Sequence, residues 1–279
     1  MLPMNKKKSP TDNSQLIAPV GFFDSGVGGL SVLQAVRRIM PHENLIYFAD
    51  SAHCPYGNRS VDFVRRRSLA ITGFLLAQGA KAVVVACNSA SEAALELLRL
   101  TFPGLEIIGV EPAVKVAQSM SKNKKIGVLG TPLTLRGGRF FRLLNNFSAG
   151  MEVYTQPVAG LVELIETGCL DDAQTTAILK KNLRPLLKKG IDTLVLGCTH
   201  YPLLKEDIAS LCGPQVELID TAEPVARQLW RRLLSTGRLN PGPGSGHSEF
   251  FSSGAVQTVN PVLRKIMADP ALVVSRSSV

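Results

Sequence analysis

The sequence predicts an α/β protein made of two similar parallel-sheet domains, flavodoxin-like and related by pseudo-twofold symmetry, with the active site between them. Three observations carry this. Short apolar runs alternate with stretches of helical spacing along the chain. A unit of apolar run, small or hydroxyl-rich turn and helix starts twice, at VGFFDSGVGGL (Val20–Leu30) and again at KKIGVLGTPLTL (Lys124–Leu135). Two further apolar runs end in a cysteine with a polar follower, VVVACNSAS around Cys87 and TLVLGCTHYPLL around Cys198. Asp24 and Thr131 are 107 residues apart, and Cys87 and Cys198 are 111 apart, so the two halves repeat in near register.

The elements follow in order. Val20–Phe23 reads as a strand, and Leu30, Leu33, Val36 and Met40 recur after it at helical spacing. Leu45–Ala49 is a second strand, Arg65–Gln78 a helix, and Lys81–Ala86 a third strand. Ser89-x-x-Glu92 has the form of a capping box, which starts a helix just after Cys87. Glu106–Val110 is a further strand. NPGPGSGHS (Asn240–Ser248) is a loop, and SEFFSSG after it a late strand. The expected division is a disordered extension over 1–18, a first domain of 19–113 plus 224–279, and a second domain of 114–223.

The bulk numbers narrow the class. The chain has 279 residues, 45% of them hydrophobic, which is ample for a packed core. No apolar run approaches a membrane span, and the basic, polar MLPMNKKKSPTDNSQ lacks the apolar centre of a signal peptide. The expected compartment is the cytoplasm, and no membrane is expected as a partner. The five cysteines, Cys54, Cys87, Cys169, Cys198 and Cys212, then read as free thiols. The net charge of +9 is spread over clusters such as Arg65–Arg67 and Lys188–Lys189, which read as solvated helix faces. No nucleic-acid-binding motif accompanies it, so nucleic acid is not expected as a partner.

Ligands of open parallel sheets bind at the carboxyl ends of the strands. Asp24, Cys87, Thr131 and Cys198 all fall there. Each cysteine also precedes a helix start, whose free N–H groups favour a thiolate or a bound carboxylate. An ordinary thiol has a pKa near ~8.5, and lowering it by about one unit takes roughly 1.4 kcal/mol. Two equivalent acid/base groups facing each other suit inversion of a carbon stereocentre, with a thiolate on one face and a thiol on the other. Competing chemistry fails on spacing. Ser31 stands where GVGG would need its third glycine for a dinucleotide loop, and no Walker A or GxSxG motif is present. Cys198-x-His200 and His53-Cys54 each lack a nearby second pair for a metal. The glycines after Asp24 let backbone amides approach a small ligand.

Taken together, FFDSGVGGLSV (Phe22–Val32), YFADSAHCPYGNRS (Tyr47–Ser60), VVVACNSAS (Val83–Ser91), GVLGTPLTL (Gly127–Leu135), LVLGCTHYPLL (Leu194–Leu204) and LIDTAEPVA (Leu218–Ala226) resemble the glutamate racemases of the aspartate/glutamate racemase superfamily. The resemblance implies a cofactor-independent enzyme that makes D-glutamate for peptidoglycan, with no pyridoxal phosphate, metal or nucleotide. It implies that Cys87 and Cys198 are the two bases. Asp24 beside Cys87 and His200 beside Cys198 position protons or tune the thiols. A supporting glutamate falls on Glu166, with Glu163 one turn away as a competitor. Ser25, Tyr56, Gly57, Asn88, Ser89, Thr131, Thr134 and Thr199, together with Asp24 and His200, match positions that hold the substrate. Ser89 stands where many members have threonine, and RGGRFF (Arg136–Phe141) departs from the usual loop. The N-terminal extension and longer C-terminal part resemble members activated by a UDP-sugar–alanine precursor of peptidoglycan, and family members form homodimers in several ways. Two alternatives stay open: a racemase acting on aspartate or another amino acid, and a protein that interacts with DNA gyrase.

Overall fold

The computed structural model describes residues 13–279. Ten strands are present among them: β1 (Val20–Asp24), β2 (Leu45–Ala49), β3 (Ala82–Val85), β4 (Glu106–Gly109), β5 (Lys125–Gly130), β6 (Glu152–Pro157), β7 (Thr193–Gly197), β8 (Glu217–Ile219), β9 (Ser248–Ser252) and β10 (Val274–Arg276). The helices are α1 (Asn13–Ile17), α2 (Leu30–Ile39), α3 (Val61–Ala77), α4 (Asn88–Thr101), α5 (Val114–Met120), α6 (Pro132–Leu135), α7 (Gly138–Phe147), α8 (Leu161–Glu166), α9 (Ala173–Leu187), α10 (Lys205–Cys212), α11 (Ala222–Ser235) and α12 (Val256–Met267).

The strands form two sheets, in the orders β10-β9-β2-β1-β3-β4 and β6-β5-β7-β8. Every pairing is parallel. Helices cover both faces of such sheets, so their inner strands are near-continuous apolar runs rather than alternating ones. VGFFD, LIYFA, AVVV and TLVLG are buried at every position. The four strands β2-β1-β3-β4 and the four strands β6-β5-β7-β8 share one order, second-first-third-fourth. Asp24 and Thr131 therefore end or follow the first strand of each set, and Cys87 and Cys198 follow the third. The late strand expected from SEFFSSG is β9, which adds to the β2 edge with Tyr47 opposite Phe250. β10, only three residues long, escapes a reading by periodicity. α11 packs on α2 and β4, against the first sheet. One buried cluster runs from Val20 and Phe22 in β1 to Leu194 and Leu196 in β7, so the core is continuous across both sheets.

Two expectations need correction. The extension expected to be disordered through residue 18 is helical over Asn13–Ile17, because the Leu16 carbonyl accepts from Lys81 Nζ at 2.6 Å and the Ile17 carbonyl from Asn44 Nδ2 at 2.7 Å. The rest of that extension lies outside the described residues. The capping box of Ser89 and Glu92 does not form: α4 starts two residues earlier, with Cys87 rather than Ser89 at its N-cap. Both side chains are drawn across to the other sheet instead. Ser89 Oγ meets Thr131 Oγ1 at 2.9 Å, and the Glu92 carboxylate accepts the Arg139 and Phe140 N–H groups at 2.9 and 3.0 Å. Glu92 thus caps α7, and Gly137 is the residue whose missing Cβ leaves it room.

Candidate active site

Each half contributes a strand end. At the end of β1, Asp24 is fully buried, and its Oδ1 accepts from the Gly26 N–H at 2.8 Å and the Ser25 hydroxyl at 3.2 Å. Its Oδ2 accepts from Thr199 Oγ1 of the second half at 2.8 Å. Burial pushes the Asp24 carboxyl up to about 6, against the lowering pull of His200 and of its donors at Gly26 and Thr199. The residue stays mostly ionised at neutral pH.

At the end of β3, Cys87 is 5% exposed, with its Sγ 3.9 Å from Ser25 Oγ. The sequence places the thiol at a helix start, where a lowered pKa is expected. The structure reverses the sign. Burial, and then the Asp24 charge, push the Cys87 thiol well above the ordinary cysteine value, and the Ala90 and Ser25 N–H groups recover only part of that. In the protein by itself this thiol is neutral.

At the end of β7, Cys198 is 6% exposed, and its Sγ lies 3.8 Å from His200 Nδ1. It does not precede an α-helix directly: a 3-10 turn with Pro202, Tyr201–Leu204, comes first, and α10 follows. His200 Nε2 faces Glu166 Oε1 at 2.6 Å, and the same oxygen accepts the Val27 N–H at 2.6 Å. Glu163, the competitor on the same helix, is exposed. Burial lowers the His200 pKa, but its hydrogen bonds to Cys198, Cys54 and Glu166 and the Asp24 charge outweigh this and raise it well above the ordinary histidine value. The ring is a cation at neutral pH.

Gly26 and Gly28 of DSGVGG make room for two of these side chains. A Cβ on Gly26 would sit 1.9 Å from Glu166 Oε1, and one on Gly28 would sit 2.3 Å from His200 Nδ1. The loop after β1 is bare so that the carboxylate and the imidazole of the second half can enter it.

Both cysteines line one small enclosed cavity together with Ser25, Tyr56, Gly57, Asn88, Ser89, Thr131, Thr199 and His200. Its space suits about one water rather than an amino acid, so the two halves must part to admit a larger ligand. Asn88 is 3% exposed, and both polar atoms of its amide lack a partner among the described residues. Such atoms are costly unless something else binds them. Asp24, Thr134 and Glu166 stand one layer back. Thr134 Oγ1 accepts from Thr131 Oγ1 at 2.9 Å, and its N–H is capped by the same hydroxyl.

Three groups here were not singled out from sequence. Cys54 Sγ lies 3.8 Å from Ser25 Oγ and also hydrogen-bonds His200, so the thiol that reads as isolated beside His53 is part of the cluster. Burial pushes it up to about 12. Val162 closes the wall. Asp50, fully buried, receives the Tyr56 hydroxyl at 2.5 Å, Arg67 through Nε at 2.9 Å and Nη2 at 2.7 Å, and His53 Nδ1 at 2.9 Å. Arg67 leads Asp50's partners in holding its carboxyl below the usual value against burial. Its place directly after a buried strand, inside YFADSAHCPYG, is the signal that it was available.

Similarity to known proteins agrees with this geometry. Residues 30–229 match the family model described as Asp/Glu/Hydantoin racemase. A glutamate racemase of Ectopseudomonas mendocina is 48% identical over 260 residues, 93% of this chain and 98% of that protein. The crystal structure of a glutamate racemase isoform from Bacillus anthracis superposes with a TM-score of 0.85 at 34% identity, covering 94% of this chain and 97% of the other. That of the Escherichia coli glutamate racemase, in complex with L-glutamate and the activator UDP-MurNAc-Ala, gives 0.81 at 30% identity over 93% and 98%. The chain belongs to the Asp/Glu/hydantoin racemase family and, within it, to the glutamate racemases.

Proposed function

We propose that this chain interconverts L- and D-glutamate by moving the Cα proton between two thiols, Cys87 and Cys198. The observation that carries the reading is that these thiols, from equivalent strand ends of two sheets, open onto one buried cavity. A Cα held between them has one sulfur on each face. The thiolate on one side takes the proton, the thiol on the other delivers its own to the opposite face, and the roles exchange in the reverse direction.

The surroundings supply what the thiols lack. Burial and Asp24 hold Cys87 as a neutral thiol, so an α-ammonium group beside it and Asp24 favours the thiolate. His200 Nδ1 lies 3.8 Å from Cys198 Sγ, placed to exchange a proton with it, and Glu166 holds the ring. Asn88, with its unpartnered amide, binds the substrate, flanked by Ser25, Tyr56, Gly57, Ser89, Thr131 and Thr199, while Thr134 fixes Thr131. Fixed donors around the reacting carbon stabilise the carbanion-like state and set the geometry. Gly57 also borders a wider groove of about 780 Å³ with Arg59, Arg65 and Arg136, cations that draw in a net anion with two carboxylates, such as glutamate. The reading calls on no cofactor. It places D-glutamate production for peptidoglycan in the cytoplasm, where five unpaired cysteines stay reduced.

A second cavity, of about 460 Å³, adjoins the two crossings between the sheets and is lined by Arg99, Lys115, Arg139 and Arg231 beside Glu111 and Pro224. It suits a diphosphate-bearing activator of the kind bound by the Escherichia coli relative. A precursor titration that leaves the rate of the native chain unchanged removes this part alone.

The test of the main reading is the rate of loss of optical activity from L-glutamate and from L-aspartate, side by side, with and without the UDP-linked precursor. Glutamate is expected to racemize and aspartate to lag far behind. Preference for aspartate would overturn the substrate assignment.

A further inference from the structure

We propose that Cys54, Glu166 and His200 form a binding site for Zn²⁺ and that the bound ion shuts the neighbouring reaction centre. A thiol, a carboxylate oxygen and an imidazole nitrogen from these residues all lie within 4.8 Å of one another. They come from the loop after β2, the last residue of α8 and the segment after β7, so both halves contribute. His200 is 1% exposed, the Glu166 side chain 14%, and Cys54 is half-buried.

The donor set selects the ion. Sulfur, nitrogen and oxygen together suit Zn²⁺, whereas Mg²⁺ and Ca²⁺ prefer all-oxygen shells. Tetrahedral zinc with its usual bond lengths holds such atoms about 3.4 to 3.6 Å apart. The His200–Glu166 separation of 2.6 Å would open by roughly 1 Å to reach this. Cys54 closes by a similar amount at most. Glu166 can adapt: its Oε1 keeps the Val27 N–H, while Oε2 makes no hydrogen bond among the described residues. Gly26, lacking a Cβ, leaves that carboxylate space to turn. Three protein ligands leave the fourth position to water or a substrate carboxylate, the pattern of open zinc sites.

Binding takes His200 and Glu166 out of their arrangement with Cys198 and releases the Cys54 and His200 protons to solvent. The site therefore excludes turnover while the ion is bound, and chelation restores it. That occupancy stops turnover rests on the racemase reading; that Zn²⁺ binds does not.

The experiment uses the full chain, stripped of metal and dialysed. Zn²⁺ is titrated against a chromophoric chelator, and racemization of L-glutamate is followed in parallel. One ion per chain is expected, with rate lost as it binds. Cys54→Ser should weaken Zn²⁺ binding, and inhibition measured relative to its own metal-free rate, at least about tenfold. Cys87→Ala, which lacks the other thiol nearest Ser25, should bind Zn²⁺ as the native chain does. Co²⁺ in the native chain should give a thiolate-to-metal charge-transfer band, a readout that needs no variant. Absence of stoichiometric binding, absence of that band, native-like inhibition of Cys54→Ser, or loss of binding in Cys87→Ala would each overturn the site. A chain that binds Zn²⁺ in this way yet racemizes nothing would leave the site standing and sink the functional reading.

Discussion

Thr199 Oγ1 donates to Asp24 Oδ2 at 2.8 Å, across 175 residues of sequence and between the ends of strands in different sheets. The bond ties the positions of the two cavity thiols together, since Thr199 follows Cys198 and Asp24 raises the Cys87 pKa. The donor also lowers the Asp24 pKa, which burial holds at about 6. The acid limb of kcat/KM should therefore fall near pH 6. Thr199→Val removes a lowering influence, so its limb should move to higher pH. Rates of both proteins across pH 5 to 9 check the direction of that move.

The same carboxyl makes a stability prediction. Its folded pKa lies above the ordinary carboxylate value, so its contribution to stability is full below about pH 4 and is lost as the pH rises through about 6. Asp24→Asn carries no such titration. Denaturant midpoints of the native chain should fall relative to that variant between these two pH values.

Gly26→Ala should be far more harmful than a surface glycine change. Its Cβ would meet Glu166 Oε1 at 1.9 Å and displace the group that holds His200. Activity should drop by about 10²-fold or more, as expected for a misplaced catalytic group. Gly73→Ala, where a Cβ meets nothing within 4 Å, is the control and should be near neutral or slightly stabilising because it lies inside α3. Circular dichroism melts and turnover of both variants separate folding from function.

Glu92 is the cap that joins the halves away from the cavity. Glu92→Ala leaves the Arg139 and Phe140 N–H groups without their acceptor and should cost about 1 to 2 kcal/mol. Urea unfolding measures this, and Glu92→Gln, which retains one acceptor, should recover part of it.

How much of this was legible in the sequence depends on distance along the chain. The strands were, because FFD, VVV and LVLG are buried on both faces and leave unbroken apolar runs. The two cysteines were, because each follows such a run. What was hidden is whatever crosses between the halves. Ser89 and Glu92 have the spacing of a local cap, yet better partners wait at Thr131 and α7. Gly26 and Gly28 look like a ligand loop, but the groups that need the space come from residues 166 and 200. Cys54 seemed alone because its neighbours, Glu166 and His200, are more than a hundred residues away. The helix-terminus argument for a low thiol pKa failed for a different reason: the chain order does not disclose that burial and Asp24 together outweigh the N–H groups at Cys87.

The central claim is proton exchange at Cα by two thiols on opposite faces. The most direct test incubates the native chain, Cys87→Ala and Cys198→Ala with L- and with D-glutamate in D₂O, following optical rotation and Cα deuterium together. The native chain should lose rotation and place deuterium in the inverted isomer. Each variant should lose racemization by about 10³-fold or more yet retain slow deuterium exchange into only one isomer, opposite for the two variants, because one base remains on one face. Undiminished racemization in either variant, or equal exchange into both isomers by each, would contradict the two-thiol account.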